Sequence, residues 1–192
     1  IQSRRPGLRE YRMRDINGTY RWLEDRVSPQ RDSSGRVAHL FGVTRDVTER
    51  KTSEQALAKG EAFSRDILDS LAAHVCVLDA QGAILAVNKG WTEFARQNNG
   101  DPATLRGIGV NYLRVCEKAV QDGDESARAA LDGIRAVLGG ARELFSMEYA
   151  CHSADEQRWF VMRARPMSRG NGNIVVSHQT ITERKLAEHL LQ

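Results

Sequence analysis

The period of the hydrophobic pattern changes several times along the chain and divides it into elements. Residues 8–14, 20–29 and 37–45 read as three strands of an antiparallel meander, with Asn17-Gly18 and Ser33-Ser34-Gly35 as the turns. The apolar face of this meander has no helix of its own to cover it, so it reads as the back half of a domain whose front half is missing. At Asp46 the pattern turns helical. Asp46-x-x-Glu49 has the form of a capping box, and only Gly60 interrupts the helical run before about Leu71. That glycine costs about 1 kcal/mol relative to alanine, and the helix would be about 35 Å long. Ala56, Gly60, Phe63 and Ile67 form an a/d-spaced seam on an otherwise polar helix. The seam fits either a solvated spacer or a parallel dimeric coiled coil.

Beyond the helix, residues 75–78 and 84–87 form an opening hairpin around Gln81-Gly82. Residues 88–97 read as a short helix with Trp91 and Phe94 on one side, and 98–107 as a polar loop. Residues 110–120 form a second short helix carrying Tyr112, Leu113 and Cys116. Asp124 caps a longer one, striped by Ala127, Leu131, Ile134 and Leu138 and ended by Gly139-Gly140. Three strands follow at 144–151, 157–167 and 173–179. The fold class is α+β: five antiparallel strands, with helices inserted between the second and the third.

The closing meander repeats the opening one. Glu10-Tyr11, Arg21-Trp22, Pro29 and Val47-Thr48-Glu49-Arg50-Lys51 recur in order as Glu148-Tyr149, Arg158-Trp159, Pro166 and Ile181-Thr182-Glu183-Arg184-Lys185. A repeat of this size means two copies of one folding unit, each ending where a helix begins.

Composition narrows the function. The 192 residues carry a net charge of +3 with no Lys/Arg block, which argues against nucleic acid. No apolar run approaches a membrane span and no signal peptide opens the chain, so the expectation is a cytoplasmic protein without a membrane segment. Cys76, Cys116 and Cys151 show no C-x-x-C spacing and fit a reducing compartment. The chain starts at Ile1 in strand-like sequence, so the expectation is a fragment.

The element order and the twice-stated landmarks resemble the PAS family of sensory domains. Residues 74–182 resemble a whole PAS domain, and residues 8–48 the C-terminal, PAC half of another. The resemblance implies a five-stranded antiparallel sheet with helices on one face, enclosing a core or a ligand cavity. It also implies modules placed before histidine kinases, diguanylate cyclases or similar outputs in bacterial signalling proteins. The expected organisation is a PAC half at 1–46, a linker helix at 47–72, a complete PAS domain at 73–182 and an exit signalling helix from 183 to 192. The output domain would lie beyond Gln192.

The family's closing D-(I/V)-T motif joins the last strand to the signalling helix. The first copy keeps it as Asp46-Val47-Thr48, where Asp46 is expected to pair with Arg50 one turn on. The second has Thr180-Ile181-Thr182, so the expectation is a surviving cap from Thr180 and Glu183 but a carboxylate lost opposite Arg184, and weaker coupling.

Strand alternation sorts the remaining candidates. Trp22 and Trp159 lie on the outer faces beside arginines, either under the domain's own flanking helix or as a patch for a partner. With Phe63 and Ile67 they are the interface candidates for an expected homodimer through linker helix and outer sheet. On the inner face Phe160, Met162, Met147 and Tyr149, with Tyr112, are candidates to line a cavity for an unknown small molecule. His178 is the best polar group for it, or else a structural histidine bonded to the core.

Specific chemistries were tested against the residues. Flavin photoreceptors of the family carry a cysteine where this chain has Tyr112 in Gly109-Val110-Asn111-Tyr112, so adduct chemistry is argued against. Haem-binding relatives use a histidine on the long helix, and residues 124–138 hold none. Cys151-His152 are strand neighbours facing opposite ways and cannot chelate one ion without a bulge. Cys116 and Cys151 read as small buried hydrophobes, with a redox role as the alternative. His189 reads as solvated. No metal site and no catalytic constellation emerges, so the chain reads as a non-catalytic regulatory module. Its alternative reading is a pure dimerisation or spacer module with a filled core.

Overall fold

The computed structural model describes residues 7–97, 107–152, 156–168 and 171–191. The expected loop at 98–107 therefore lies outside the described residues except for Gly107. The chain divides into two compact units, Ile1–Ser64 and Arg65–Gln192, with the boundary inside a helix.

The first unit is a three-stranded antiparallel sheet of β1 (Leu8–Arg14), β2 (Tyr20–Arg31) and β3 (Val37–Asp46), in that order. Asp15 builds its first turn: the carboxylate accepts from the amides of Asn17 and Thr19, and Gly18 takes a left-handed φ of 84°. Register places Tyr11 opposite Leu23 and Pro29 opposite Leu40 on one face. Among the described residues nothing in the unit covers that face, and Leu40 remains 67% exposed. Helix α1 (Thr48–Ser70) follows, with no buried residue along its length.

The second unit holds β4 (His74–Leu78), β5 (Ile84–Val87), α2 (Lys89–Gln97), α3 (Tyr112–Gln121), α4 (Glu125–Leu138), β6 (Phe145–Ala150), β7 (Trp159–Pro166), β8 (Ile174–Thr180) and α5 (Thr182–Leu190). Its five strands pair antiparallel in the order β5-β4-β8-β7-β6, as the α+β reading expects. The first and last strands of the unit therefore lie side by side at the centre of the sheet. The core sits on one face, where Cys76, Leu78, Met162, Ala164, Ile174 and Val176 meet Ala130, Ile134 and Val137 of α4. Asp124 caps α4 as expected, accepting from the amides of Ser126 and Ala127. Gly133 is required where α4 crosses β6, because a Cβ there would overlap the ring of Phe145.

The helix starts differ from the sequence expectation. Asp46-Val47-Thr48 and Thr180-Ile181-Thr182 both place their middle residue at the helix cap: the amide of Lys51 donates to the Val47 carbonyl, and that of Lys185 to the Ile181 carbonyl. Ile181 makes no side-chain capping bond, so Thr180 with Glu183 does not form the expected box. Asp46 does not pair with Arg50 either. It lies across the sheet edge from β2, with its carboxylate on Arg21 at 2.9 Å and on the Thr48 amide. The Thr48 hydroxyl, the Thr48 amide and Arg21 together hold the Asp46 carboxyl down to about 2.

A different set of bonds ties each helix to its sheet, and it is the same in both copies. The Trp22 amide donates to the Thr48 hydroxyl at 2.8 Å while the Trp22 carbonyl accepts from Val47; Trp159 does the same with Thr182 and Ile181. Glu10 pairs with both Arg50 and Lys51, and Glu148 with both Arg184 and Lys185. The carboxylate opposite Arg184 is therefore not lost; it comes from β6. These contacts explain why the Glu-Tyr, Arg-Trp and Thr-Glu-Arg-Lys landmarks recur together. Each supplies one half of a bond whose other half is another landmark.

Candidate functional site

Asn88 fixes the wall of the second unit's interior. It is 3% exposed, and its side chain makes four bonds: Oδ1 accepts from the amides of Val75 and Trp91, and Nδ2 donates to the carbonyls of Leu68 and Ala73. That is the full capacity of an amide side chain. One residue thereby holds the last turn of α1, the start of β4 and the first turn of α2 together. Lys89 adds a bond from its amide to Asp69. So anchored, α2 turns Trp91 and Phe94 toward the inner face of the sheet.

There they border a cavity of about 350 Å³, whose lining includes His74, Ile84, Trp91, Phe94, Val110, Tyr112, Val115, Tyr149 and His178. Its polar centre is His178 of β8, which is 8% exposed. The Tyr149 hydroxyl stands 2.7 Å from His178 Nδ1, and the Tyr112 hydroxyl 3.2 Å from Nε2. Trp91 lies against both Tyr112 and His178, with ring centroids 5.8 Å apart in each case. Burial, and then the nearby His74, push His178 down to about 4, so its ring is neutral at physiological pH. Burial likewise raises the tyrosines, so both hydroxyls keep their protons.

A second cavity of about 180 Å³ is lined by Cys116, Met147 and Met162, and shares Tyr112, Val115, Tyr149 and His178 with the first. The tyrosine–histidine–tyrosine group thus stands between two chambers. Burial pushes the Cys116 thiol up to about 11 and that of Cys76 to about 12, which disfavours thiolate chemistry at neutral pH.

The structure brings His178, Tyr149 and Tyr112 together at the larger cavity, and Met147 and Met162 at the smaller. Phe160 is corrected: it lines neither, packing instead between the rings of Phe94 and Tyr149 at 5.4 and 5.8 Å. His74 was missed. Strand alternation carries the signal, since His74 shares a face with the fully buried Cys76 and Leu78 and pairs directly with His178. Trp159 is half-buried beside α5, with His152 and His189 at 5.0 and 6.2 Å rather than arginines. His189 therefore touches the tryptophan ring rather than solvent alone. Trp22 has cationic neighbours, but they are Arg12 of β1 and Lys51 of α1 rather than Arg26 of its own strand face. Phe63 and Ile67 are 66% and 46% exposed on α1.

The first unit carries a different centre at the equivalent place. The Tyr11 and Thr44 hydroxyls donate to the two oxygens of Asp25, at 2.9 and 2.7 Å. By the repeat, Tyr11 corresponds to Tyr149, Thr44 to His178 and Asp25 to Met162. One copy thus holds a carboxylate where the other holds a thioether, with a neutral imidazole in place of the threonine.

The fold is that of a sensory domain, and the comparisons agree. A family model described as PAS fold matches residues 68–186, more than half of the chain, and a second PAS-fold model matches residues 2–44. The chain belongs to the PAS family of sensory domains. Over 120 residues it is 48% identical to an uncharacterized 104.1 kDa protein of Rhodobacter capsulatus, covering 60% of this chain and 12% of that one. It is 27% identical over 166 residues to the two-component sensor PprA of Pseudomonas aeruginosa, covering 85% of this chain and 17% of PprA. The chain therefore spans less than a fifth of the length of either relative. Among solved structures, the PAS domain of Bordetella pertussis BvgS is similar at a TM-score of 0.46 and 19% identity, over 71% of this chain and 93% of that one. PAS domains are sensory rather than catalytic.

Proposed function

We propose that the second unit is the sensory module of a multidomain signalling protein, and that the state of its cavity is passed to α5 and to an output domain further along. The observation that carries this reading is the position of His178. It faces the cavity and lies two residues before Thr180, at the end of the strand that leads into α5. A molecule that displaces the Tyr149 or Tyr112 hydroxyl from His178 pulls on β8 and β6. β8 runs directly into Ile181 and β6 carries Glu148, and both residues anchor α5 through the bonds described above. Asn88 offers a second route, because it ties the last turn of α1 to the helix carrying Trp91 and Phe94. Thr48, Arg50 and Asp46 serve the same anchoring in the first unit, and Thr182, Arg184 and Lys185 in the second.

PprA is a two-component sensor, which supports a histidine kinase as the output. The three free cysteines fit a cytosolic setting. The exposed Leu57, Phe63 and Ile67 on α1 favour pairing with a second copy, so that the module acts as a homodimer through α1 and the outer Trp face.

Hydrogen exchange tests the coupling. Val115→Trp fills the cavity from α3, whereas Leu85→Trp adds the same ring at an exposed site outside it. Exchange across Thr182–Leu190 should change in the first variant and not in the second. Unchanged exchange in a folded Val115→Trp protein overturns the reading.

A further inference from the structure

The hydrogens of the Tyr149–His178–Tyr112 group do not balance. A neutral imidazole brings one N–H, and the two phenols bring one O–H each. Two bonds join the three side chains, so two of the three hydrogens are used and one is left over. The distances say which. Hydrogen bonds donated by a hydroxyl run shorter than those donated by an N–H. Tyr149 at 2.7 Å is then the donor to Nδ1, and Nε2–H at 3.2 Å donates to Tyr112. The unused hydrogen is on the Tyr112 hydroxyl. Tyr112 makes no other side-chain bond among the described residues, and it borders the larger cavity.

The rest of the wall limits what can meet that donor. Aromatic rings dominate it: Trp91, Phe94 and His74 stand with Tyr112, Tyr149 and His178. Among the described residues no lysine, arginine, aspartate or glutamate lines the cavity, and Arg158, which stands over the Phe94 ring, is not part of its wall, so a buried ionic group would find no counter-charge in contact with it. About 350 Å³ has room for a molecule of one or two rings.

We propose that the cavity binds a flat, uncharged aromatic molecule of one or two rings through an acceptor atom, a carbonyl oxygen or a ring nitrogen, that takes a hydrogen bond from Tyr112. This rests on the cavity being a binding site, as read above. Trp91 and Tyr149 stack along the ring, and the acceptor replaces nothing in the group because the donor was unspent. A ligand of this class engages the group through Tyr112 and so bears on the Tyr112–His178 contact through which the cavity reaches β8.

Three probes separate the outcomes when titrated into the full chain and followed by amide and indole NMR shifts. Quinoline is flat and neutral with a ring nitrogen; naphthalene has the same shape without the acceptor; 1-naphthoate adds a charge. Quinoline should bind about tenfold more tightly than naphthalene, the ratio expected for one neutral hydrogen bond, and more tightly than 1-naphthoate. Tyr112→Phe should reduce the preference to near one. Equal binding of quinoline and naphthalene overturns the donor assignment while leaving the cavity a binding site. A quinoline preference that survives in Tyr112→Phe also overturns it, and tighter binding of 1-naphthoate overturns the uncharged class. Binding of none of the three counts against the cavity reading itself. Should Tyr112→Phe fail to fold, the wild-type ratio alone decides.

Discussion

His178 is held neutral by burial and by its cross-strand partner His74, and this makes the stability of the second unit pH-dependent. Its folded value of about 4 lies below the ordinary value of 6.5, so the unfolded chain binds more protons between the two. Stability from this group is complete above about 6.5 and is lost as the pH falls through about 4, by on the order of 3 kcal/mol in all. The groups in direct contact with it are Tyr112, Tyr149 and His74, none of them anionic at these pH values; Cys116 and the carboxylate of Asp124 line the smaller chamber that His178 also borders. His74 is lowered as well, by burial and then by Arg158, and adds in the same direction. Urea unfolding at pH 7 and pH 4.5 should therefore show a steep loss in the wild type and a smaller one in His178→Gln. An equal loss in both would mean that His178 titrates alike in the folded and the unfolded chain and that burial does not lower it. The sequence pointed to His178 because it breaks the apolar run Ile174, Val176 on one strand face. It did not point to Tyr112 as the partner, because the two lie 66 positions apart and meet only when α3 folds over the sheet.

At the scale of elements, the helix–sheet joints decide how a strain in the sheet reaches a helix. Thr182 accepts from the Trp159 amide, whereas Thr180 makes only a hydroxyl contact with Thr182. Thr182→Val should cost about 1 kcal/mol and speed exchange of the Trp159 amide, while Thr180→Ala should stay within about 0.5 kcal/mol. The opposite order would restore Thr180 as the cap. Capping patterns in a sequence are local, and here the local pattern lost to a long-range bond: the donor that the threonine satisfies belongs to a strand, not to its own helix. Gly133 gives the second case. Helix propensity alone favours alanine at this position of α4 by about 1 kcal/mol, yet the Phe145 ring fills the place of the Cβ. Gly133→Ala should thus be destabilising by about 1–3 kcal/mol in denaturant titrations. No helical periodicity could have shown that, since the clash comes from β6.

Across the whole molecule, two copies of one repeat differ in what they enclose. The second unit covers its inner face with helices and keeps an aromatic cavity there; the first has no helix of its own over its sheet among the described residues, and Asp25 is bonded there by Tyr11 and Thr44. Homodimer formation through α1, proposed above, has its test at this scale. Native mass of the full chain should show a dimer, and Phe63→Glu with Ile67→Glu should convert it to a monomer without lowering helix content. The order of strands and helices was readable from the sequence because the period of hydrophobic positions and the turn residues are properties of neighbouring positions. The repeat was readable for the same reason, and it carried the family. Which carboxylate meets which arginine, which threonine serves the tryptophan, and which hydroxyl is left to face the cavity were decided by the tertiary structure. Each of those pairings joins residues from different elements, and only the packed sheet and helices set the distances between them.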